Sequence, residues 1–391
     1  MPYLSKLLKN LGIIVNTMNI SNIVNGHSTA EARWARYGPY YAVFPVDFAF
    51  NVINKYSKRG DNIIDPFAGR CTSVYAGGVL GRNSLGFEIN PVGWLYGTVK
   101  IHPAKYEDVV ERLQSLRNIS GDFVQEAKEL SEFFHVCYCD EVLKFLCTAR
   151  KSLDWRNDPI DATLMSIILI YLHGKIGEGI SNQMRMTMSM GMNYSINWWK
   201  KNNMPIPPKI NPYDFFVHKL QWRYKKGIPQ IQTETQVILG DCTKELQRIV
   251  DNTINTDKRY SLLFTSPPYY AVTDYHIDQW LRLWMLGGTP YPKSANDGHK
   301  GRFGNKENYY ELLDSVFEKC SHIMAPKSTI YVRTDSREYT LQTTLEILNK
   351  YFPDFKQRKI NKPIGEETRT QTDLYGNHST AKGEVDIILR R

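Results

Sequence analysis

The chain has 391 residues, 42% hydrophobic and 23% charged, with a formal net charge of +9. That balance is ordinary for a globular protein and excludes fibrous, low-complexity and disulfide-framework chains. The excess of Lys and Arg favours a polyanionic partner, with nucleic acid as the first candidate.

Residues 1–32 read as a leader, with apolar patches such as Leu7-Leu8 and Ile13-Ile14-Val15 broken by Lys and Asn. They form no convincing signal peptide, and no apolar run of the chain reaches membrane length, so a cytoplasmic protein is expected. The six cysteines show no paired metal-ligand spacing. The one cluster, His135, Cys137, Cys139 and Cys147, reads as buried reduced thiols, so no metal is expected.

From residue 37 the chain becomes patterned. Residues 44–56 carry Phe48, Val52, Ile53 and Tyr56 at helical spacing, and Lys58-Arg59-Gly60-Asp61 ends that helix. Residues 62–67 read as a short buried strand, 69–72 as a turn, 73–80 as a helix and 84–89 as a second strand. Together they make a βαβ unit. Residues 105–117 and 122–153 are helical in period, and 163–172 is a strongly apolar helix. Residues 185–226 are rich in Met, Asn, aromatics and Lys, with prolines at 205, 207, 208 and 212. Strand signals return at 237–241 and 262–265. A helix over 309–324, a strand over 329–332, a helix over 341–351 and a closing hairpin of 355–360 with 385–389 complete the reading. The predicted fold is a doubly wound, Rossmann-like α/β sheet, mostly parallel with a C-terminal antiparallel hairpin, split by a largely helical insertion. Its expected parts are the leader, a first half over 33–102, the insertion over 103–235 and a second half over 236–391.

The chemistry concentrates at the ends of the predicted strands. Asp65-Pro66-Phe67-Ala68-Gly69 sits where a strand turns into a helix, and Gly69 permits close backbone approach at a helix N-terminus. The pattern is not the Gly-x-Gly-x-x-Gly of dinucleotide sites. Glu88 ends the next strand, where an acid suits ribose hydroxyls. Asp241 ends a third strand, where an acceptor can meet an adenine amino group. Three acids at three strand ends outline a nucleoside pocket. The apolar run 261–265 ends in Ser266-Pro267-Pro268-Tyr269. Its prolines remove two N–H donors and stop the strand. A hydroxyl, carbonyl acceptors and an aromatic face remain, an inventory suited to a flat ring bearing an exocyclic amine.

Asp65-Pro-Phe-Ala-Gly69 together with Thr265-Ser-Pro-Pro-Tyr269 resembles the S-adenosylmethionine-dependent amino-methyltransferases of DNA, which modify cytosine N4 or adenine N6. The resemblance spans about 33–102 and 236–391. It implies that Asp65 and Gly69 lie against the methionine moiety of the cofactor, Glu88 holds its ribose and Asp241 meets its adenine. Tyr41, Phe44 and Pro45, from a segment that packs on the methionine part, join this implied set with Pro66, Phe67, Cys71, Thr72, Ile89, Cys242 and Thr265. Ser266, Pro267, Pro268 and Tyr269 are implied to hold the target base. The family usually carries glycine where this chain has Cys71, and the long insertion is unusual. Ser266 at the head of the tetrapeptide favours cytosine N4, with adenine N6 as the alternative. No Pro-Cys dipeptide exists for carbon-5 chemistry.

The implied partner is double-stranded DNA. A restriction-modification role with a cognate nuclease follows from the same resemblance, beside an orphan regulator. The basic, aromatic insertion supplies candidate DNA contacts at Arg185, Trp198, Lys200, Lys201 and Arg223, and the loops near the catalytic motif supply Lys300, Arg302 and Arg369. An RNA or protein-amide methyltransferase and a catalytically silent DNA-binding module are the rival readings.

Overall fold

The computed structural model describes residues 20–24, 26–40, 43–256, 258–270, 275–293, 305–360 and 383–391. Seven strands form one sheet: β1 (Asn62–Asp65), β2 (Asn83–Glu88), β3 (Thr235–Leu239), β4 (Tyr260–Thr265), β5 (Met324–Asp335), β6 (Lys356–Ile360) and β7 (Glu384–Arg390). Their order is β3-β2-β1-β4-β5-β7-β6. The first five pair in parallel, while β7 runs antiparallel to both β5 and β6. The predicted doubly wound sheet with its closing hairpin is therefore the fold observed. Strand order reverses between β1 and β4, and such a switch point opens a crevice at the strands' carboxyl ends.

The period of two along each strand divides the core. Ile63, Leu262, Phe264, Tyr331 and Ile388 face one layer, whereas Ile64, Leu263, Ile330, Val332, Ile387 and Leu389 face the other. The second layer is closed by the helices Cys242–Thr256, Lys306–Ile323 and Glu338–Tyr351. The first is closed by Val46–Tyr56, Thr72–Val79 and Pro91–Ile101, and its apolar cluster runs on without a break into the insertion.

Three helices open on a capping residue followed by proline. Asn90 accepts from the Val92 N–H at 3.0 Å, Asp158 from the Ile160 and Asp161 N–H groups, and Asn211 from the Tyr213 N–H at 3.0 Å. In each case proline takes the first helical position, where no N–H partner is needed. Pro212 thus starts the helix Pro212–Tyr224.

Part of the segment read as a leader is packed. Ala30–Ala35 is a helix capped by Thr29, and Trp34 is fully buried. Arg33 Nη1 donates to the Trp222 carbonyl at 2.6 Å, and Trp34 Nε1 donates to the Gly227 carbonyl at 3.2 Å. The helix Ala30–Ala35 is thereby tied to the last helix of the insertion and the turn after it. Among the described residues, no helix is long and apolar enough to cross a membrane.

Candidate active site

The ends of β1 and β4 are coupled through side chains. Thr265 donates from Oγ1 to Asp65 Oδ1 at 2.6 Å, and the Phe67 N–H reaches the same oxygen at 3.1 Å. The Ser73 hydroxyl donates to Oδ2. Burial raises the Asp65 carboxyl to about 6, against the pull of these three donors. Asp65 therefore joins β1, the turn carrying Pro66 and Phe67, and β4 into one corner. Ser266 follows directly.

The turn after β1 holds its shape without the usual second glycine. Cys71 adopts φ +58, in the left-handed region that glycine prefers. Its side chain is buried, and burial pushes the thiol's pKa up. Room for it comes from the helix Pro91–Ile101. A Cβ at Gly97 would collide with Cys71 Sγ, and one at Gly93 would meet the Gly69 carbonyl at 2.8 Å. Lys100, one turn further on, is fully buried and donates to the Arg70 carbonyl. Gly93, Gly97 and Lys100 therefore form one helix face moulded to the loop. The motif reading missed them, although their i, i+4, i+7 spacing is visible in the sequence. Gly97→Ala is expected to destabilise the protein by about 1–3 kcal/mol through overpacking. Adding Cys71→Gly should recover most of that loss in urea unfolding, because it removes the atom that collides.

Glu88 closes β2 beside this loop. Its Oε1 accepts from the Asn90 N–H at 2.7 Å. Burial first, and the nearby Asp65 charge as a smaller cause, raise its carboxyl to about 8, against backbone N–H groups of Asn90, Gly69 and Ile89. Ile89 is exposed next to it. Asp241 accepts from the Thr243 N–H at 3.0 Å and the Thr243 hydroxyl at 2.8 Å, so it starts the helix that begins with the buried Cys242. The Gly240 N–H donates to the Glu88 carbonyl at 3.0 Å, which draws the ends of β2 and β3 together.

Two features of the loop leave room and a hydrogen-bonding group for a ligand. A Cβ at Gly69 would meet nothing within 4 Å, so the loop backbone faces open space. Thr72 Oγ1, buried in the first helical turn, has no partner among the described residues. A free hydroxyl at a helix N-terminus suits a carboxylate, and Glu88 suits a diol. Phe44 belongs to the core, because its ring stacks on Phe264 at 4.6 Å and packs on Phe48. Pro45 precedes the helix Val46–Tyr56 as its cap residue. Tyr41 lies outside the described residues.

In the tetrapeptide Pro267 and Tyr269 are buried, whereas Ser266 and Pro268 are half-buried. The Tyr269 hydroxyl donates to Glu384 Oε1 at 2.9 Å. Glu384 opens β7, just after residues 361–382, and the Gly383 carbonyl accepts from the Ser336 N–H at 3.2 Å. Residues 383 and 384 thus lie beside the tetrapeptide and the end of β5. Arg369, Lys300 and Arg302 themselves lie outside the described residues.

Residues 183–191 form a strap that reaches the segment following the tetrapeptide. Met186, Thr187 and Met190 carbonyls accept from Arg282 Nη2 at 2.5 Å, Gln279 Nε2 at 3.1 Å and Trp280 Nε1 at 3.1 Å. The Ser189 N–H donates to the Asp278 carbonyl at 2.7 Å. Buried His173 holds the strap from behind, with Nδ1 at 2.6 Å from the Arg185 carbonyl and Nε2 at 3.2 Å from the Ser189 hydroxyl. Arg185 is exposed on this strap. Lys200 and Lys201 are exposed on the following helix, with Lys200 paired to Glu132 at 3.0 Å. Trp198 is half-buried against the core.

Arg223 requires a correction. It is 4% exposed, donates to the Arg33 carbonyl and lies over the Tyr37 ring at 4.9 Å. A guanidinium enclosed by Trp34, Tyr37 and Trp222 is a packing element and has no surface to offer to DNA.

Residues 14–92 match the N6/N4 methyltransferase family model, described as DNA methylase. The chain is 30% identical over 120 residues to the Type II methyltransferase M.MthZI of Methanothermobacter thermautotrophicus, covering 29% of this chain and 30% of that protein. It is 32% identical over 94 residues to the Type II methyltransferase M.MjaII of Methanocaldococcus jannaschii, covering 24% and 16%. The chain thus spans less than a third of the length of either relative. The solved rRNA methyltransferase aviRa of Streptomyces viridochromogenes superposes with a TM-score of 0.34 at 9% identity, over 96% of this chain and 94% of its own. S-adenosylmethionine is the methyl donor of the matched family. Over residues 14–92 the chain is thus similar to the DNA methylases, and its aligned segments in both relatives come from Type II methyltransferases.

Proposed function

We propose that this protein transfers a methyl group from S-adenosylmethionine to the N4 amine of a cytosine turned out of duplex DNA, at a specific site. The observation that carries this reading is the Thr265–Asp65 bond. It fixes the base-gripping tetrapeptide to the corner from which the cofactor loop springs. Gly69, Thr72 and Glu88 would hold the cofactor, which supplies a sulfonium methyl when bound. The exocyclic amine of cytosine is a poor nucleophile because its lone pair is delocalised into the ring. N–H bonds to the Ser266 hydroxyl and the Pro267 carbonyl favour a more tetrahedral nitrogen, with its lone pair aimed at the methyl group. Tyr269 offers a ring face to the base. Catalysis is then positioning and electrostatics, with no covalent enzyme–base intermediate. The amine is out of reach inside a duplex, so the base must leave the stack. Arg185, Lys200 and Lys201 supply exposed positive charge for the backbone phosphates. The two relatives' Type II designation supports a place in restriction-modification beside a nuclease of the same specificity.

The test is methylation of mixed-sequence duplex DNA, read by nucleoside mass spectrometry. N4-methylcytosine is expected. Ser266→Ala should lower its formation by about tenfold to a hundredfold, and Tyr269→Ala should abolish it. N6-methyladenine instead would keep the mechanism and overturn the choice of base. No methylated nucleoside, despite bound cofactor, would exclude DNA as the substrate.

A further inference from the structure

We propose that Glu384 and Arg337 are positioning residues that clamp the tetrapeptide from the antiparallel edge of the sheet, one through the Tyr269 hydroxyl and the other through the Tyr270 carbonyl. The inference rests on the reading of Ser266-Pro267-Pro268-Tyr269 as the base-gripping loop, and it adds what holds that loop still.

The need for a clamp follows from the sequence. Two consecutive prolines have no N–H to donate, so the loop cannot be held by a backbone ladder. Thr265 anchors its start on Asp65. Its far end is fixed by side chains. The Tyr269 hydroxyl meets Glu384 at 2.9 Å in a buried setting. Arg337 Nη2 donates to the Tyr270 carbonyl at 2.5 Å.

Each clamp residue is itself immobilised. Glu384 Oε2 lies 3.5 Å from Arg333 Nη1, and both side chains are fully buried. Arg333 lies over the Phe48 ring and forms a two-pronged pair with Asp386, at 2.8 Å from Nε and 3.2 Å from Nη2. Asp386 also accepts from the Tyr331 hydroxyl at 2.6 Å. Arg337 is gripped by Asp335, with Nε at 2.9 Å and Nη2 at 2.6 Å from Oδ2. A buried cluster of one cation and two anions is a poor way to stabilise a sheet, since apolar residues of the same volume do as well or better. Here the cluster has a directed outlet. The negative end of Glu384 is aimed at one phenol, and burial with the Glu384 charge keeps that phenol protonated as a donor. The ring is thereby held in a single orientation, as a stacking face must be if it is to meet a base already aligned.

The test compares the full chain with Tyr269→Phe, Glu384→Gln, Glu384→Ala and the double variant Tyr269→Phe/Glu384→Gln. Two readouts are taken: deuterium uptake by peptides covering residues 265–270, and kcat with KM for DNA methylation. Tyr269→Phe keeps the ring and loses only the bond. It is expected to raise amide exchange in those peptides and to lower kcat about tenfold or more, with affinity for S-adenosylhomocysteine unchanged. Glu384→Gln retains an acceptor and should lose less than Glu384→Ala. The double variant should be no worse than Tyr269→Phe alone, because both changes break one contact. Wild-type exchange and kcat in Tyr269→Phe, or additive losses in the double variant, would overturn the clamp. If the wild-type protein methylates no DNA, the reading of the substrate fails by itself. The exchange measurement then still decides the clamp: raised uptake in Tyr269→Phe supports it, and unchanged uptake sinks it.

Discussion

Glu88→Ala is expected to weaken binding of S-adenosylhomocysteine by about 10²–10⁴-fold, and Glu88→Gln to remove the pH dependence of that binding. A buried carboxylate facing a ribose diol makes two charged hydrogen bonds, each worth about 1.5–3 kcal/mol. Their loss at roughly 1.4 kcal/mol per decade gives that range. The pH signature is more specific. Glu88 titrates at about 8 in the ligand-free protein, chiefly because it is buried. Diol hydroxyls donate, so they favour the ionised carboxylate. Binding must therefore release a proton below about 8, and affinity should rise with pH up to that point and then level off. Stability runs the other way. A carboxyl raised from 4.5 to about 8 holds its proton more tightly in the folded chain than in the unfolded one. That contribution is fully present below the ordinary value and is lost as pH rises through about 8. Asp65, raised to about 6, adds a smaller loss over a narrower window. Thermal melts of the ligand-free protein should fall across this range, and less steeply in Glu88→Gln. Titration calorimetry at a series of pH values checks the binding half. A flat wild-type profile would rule out Glu88 as the ribose ligand.

Arg282→Ala is expected to lower the free energy of unfolding by about 3–5 kcal/mol. Arg282 is fully buried and donates to the Leu169 carbonyl at 2.9 Å, Gln279 Oε1 at 2.7 Å and the Met186 carbonyl at 2.5 Å. One guanidinium thus joins an insertion helix, the insertion's strap and the segment that follows the tetrapeptide. Truncation leaves three acceptors without a donor in a dry interior, at about 1–3 kcal/mol each before relaxation. That is a large part of the roughly 5–15 kcal/mol by which such proteins are stable. Arg282→Lys should lose less, because an ammonium keeps the charge but cannot span all three acceptors. Urea unfolding monitored by circular dichroism measures the effect. Methyl transfer to DNA should fall more than cofactor binding, since the strap carrying Arg185 loosens while the corner around Asp65 stays whole. A loss under about 1 kcal/mol would show that the strap is held by packing alone.

How these sites are encoded divides by distance along the chain. The strands and the turn after β1 were legible because each depends on neighbours. Apolar runs of period two make strands, and Asp65, Glu88 and Asp241 announce themselves by ending them. Even Gly93, Gly97 and Lys100 lie within one short helix whose spacing can be read. The double proline states that the strand stops at Ser266. What holds the tetrapeptide cannot be read there, because Glu384 stands 115 residues from Tyr269 and becomes its partner only once β7 lies against β5. Arg223 shows the same limit from the other side. A cation among aromatics on a basic helix looks like a DNA contact until Trp34 and Tyr37, nearly two hundred residues away, close around it. Local pattern sets which elements form and where a loop must break, since propensity and period act within a few residues. Whether a charge is solvated, paired or enclosed depends on which distant surfaces share its space, and only the folded arrangement of the chain decides that.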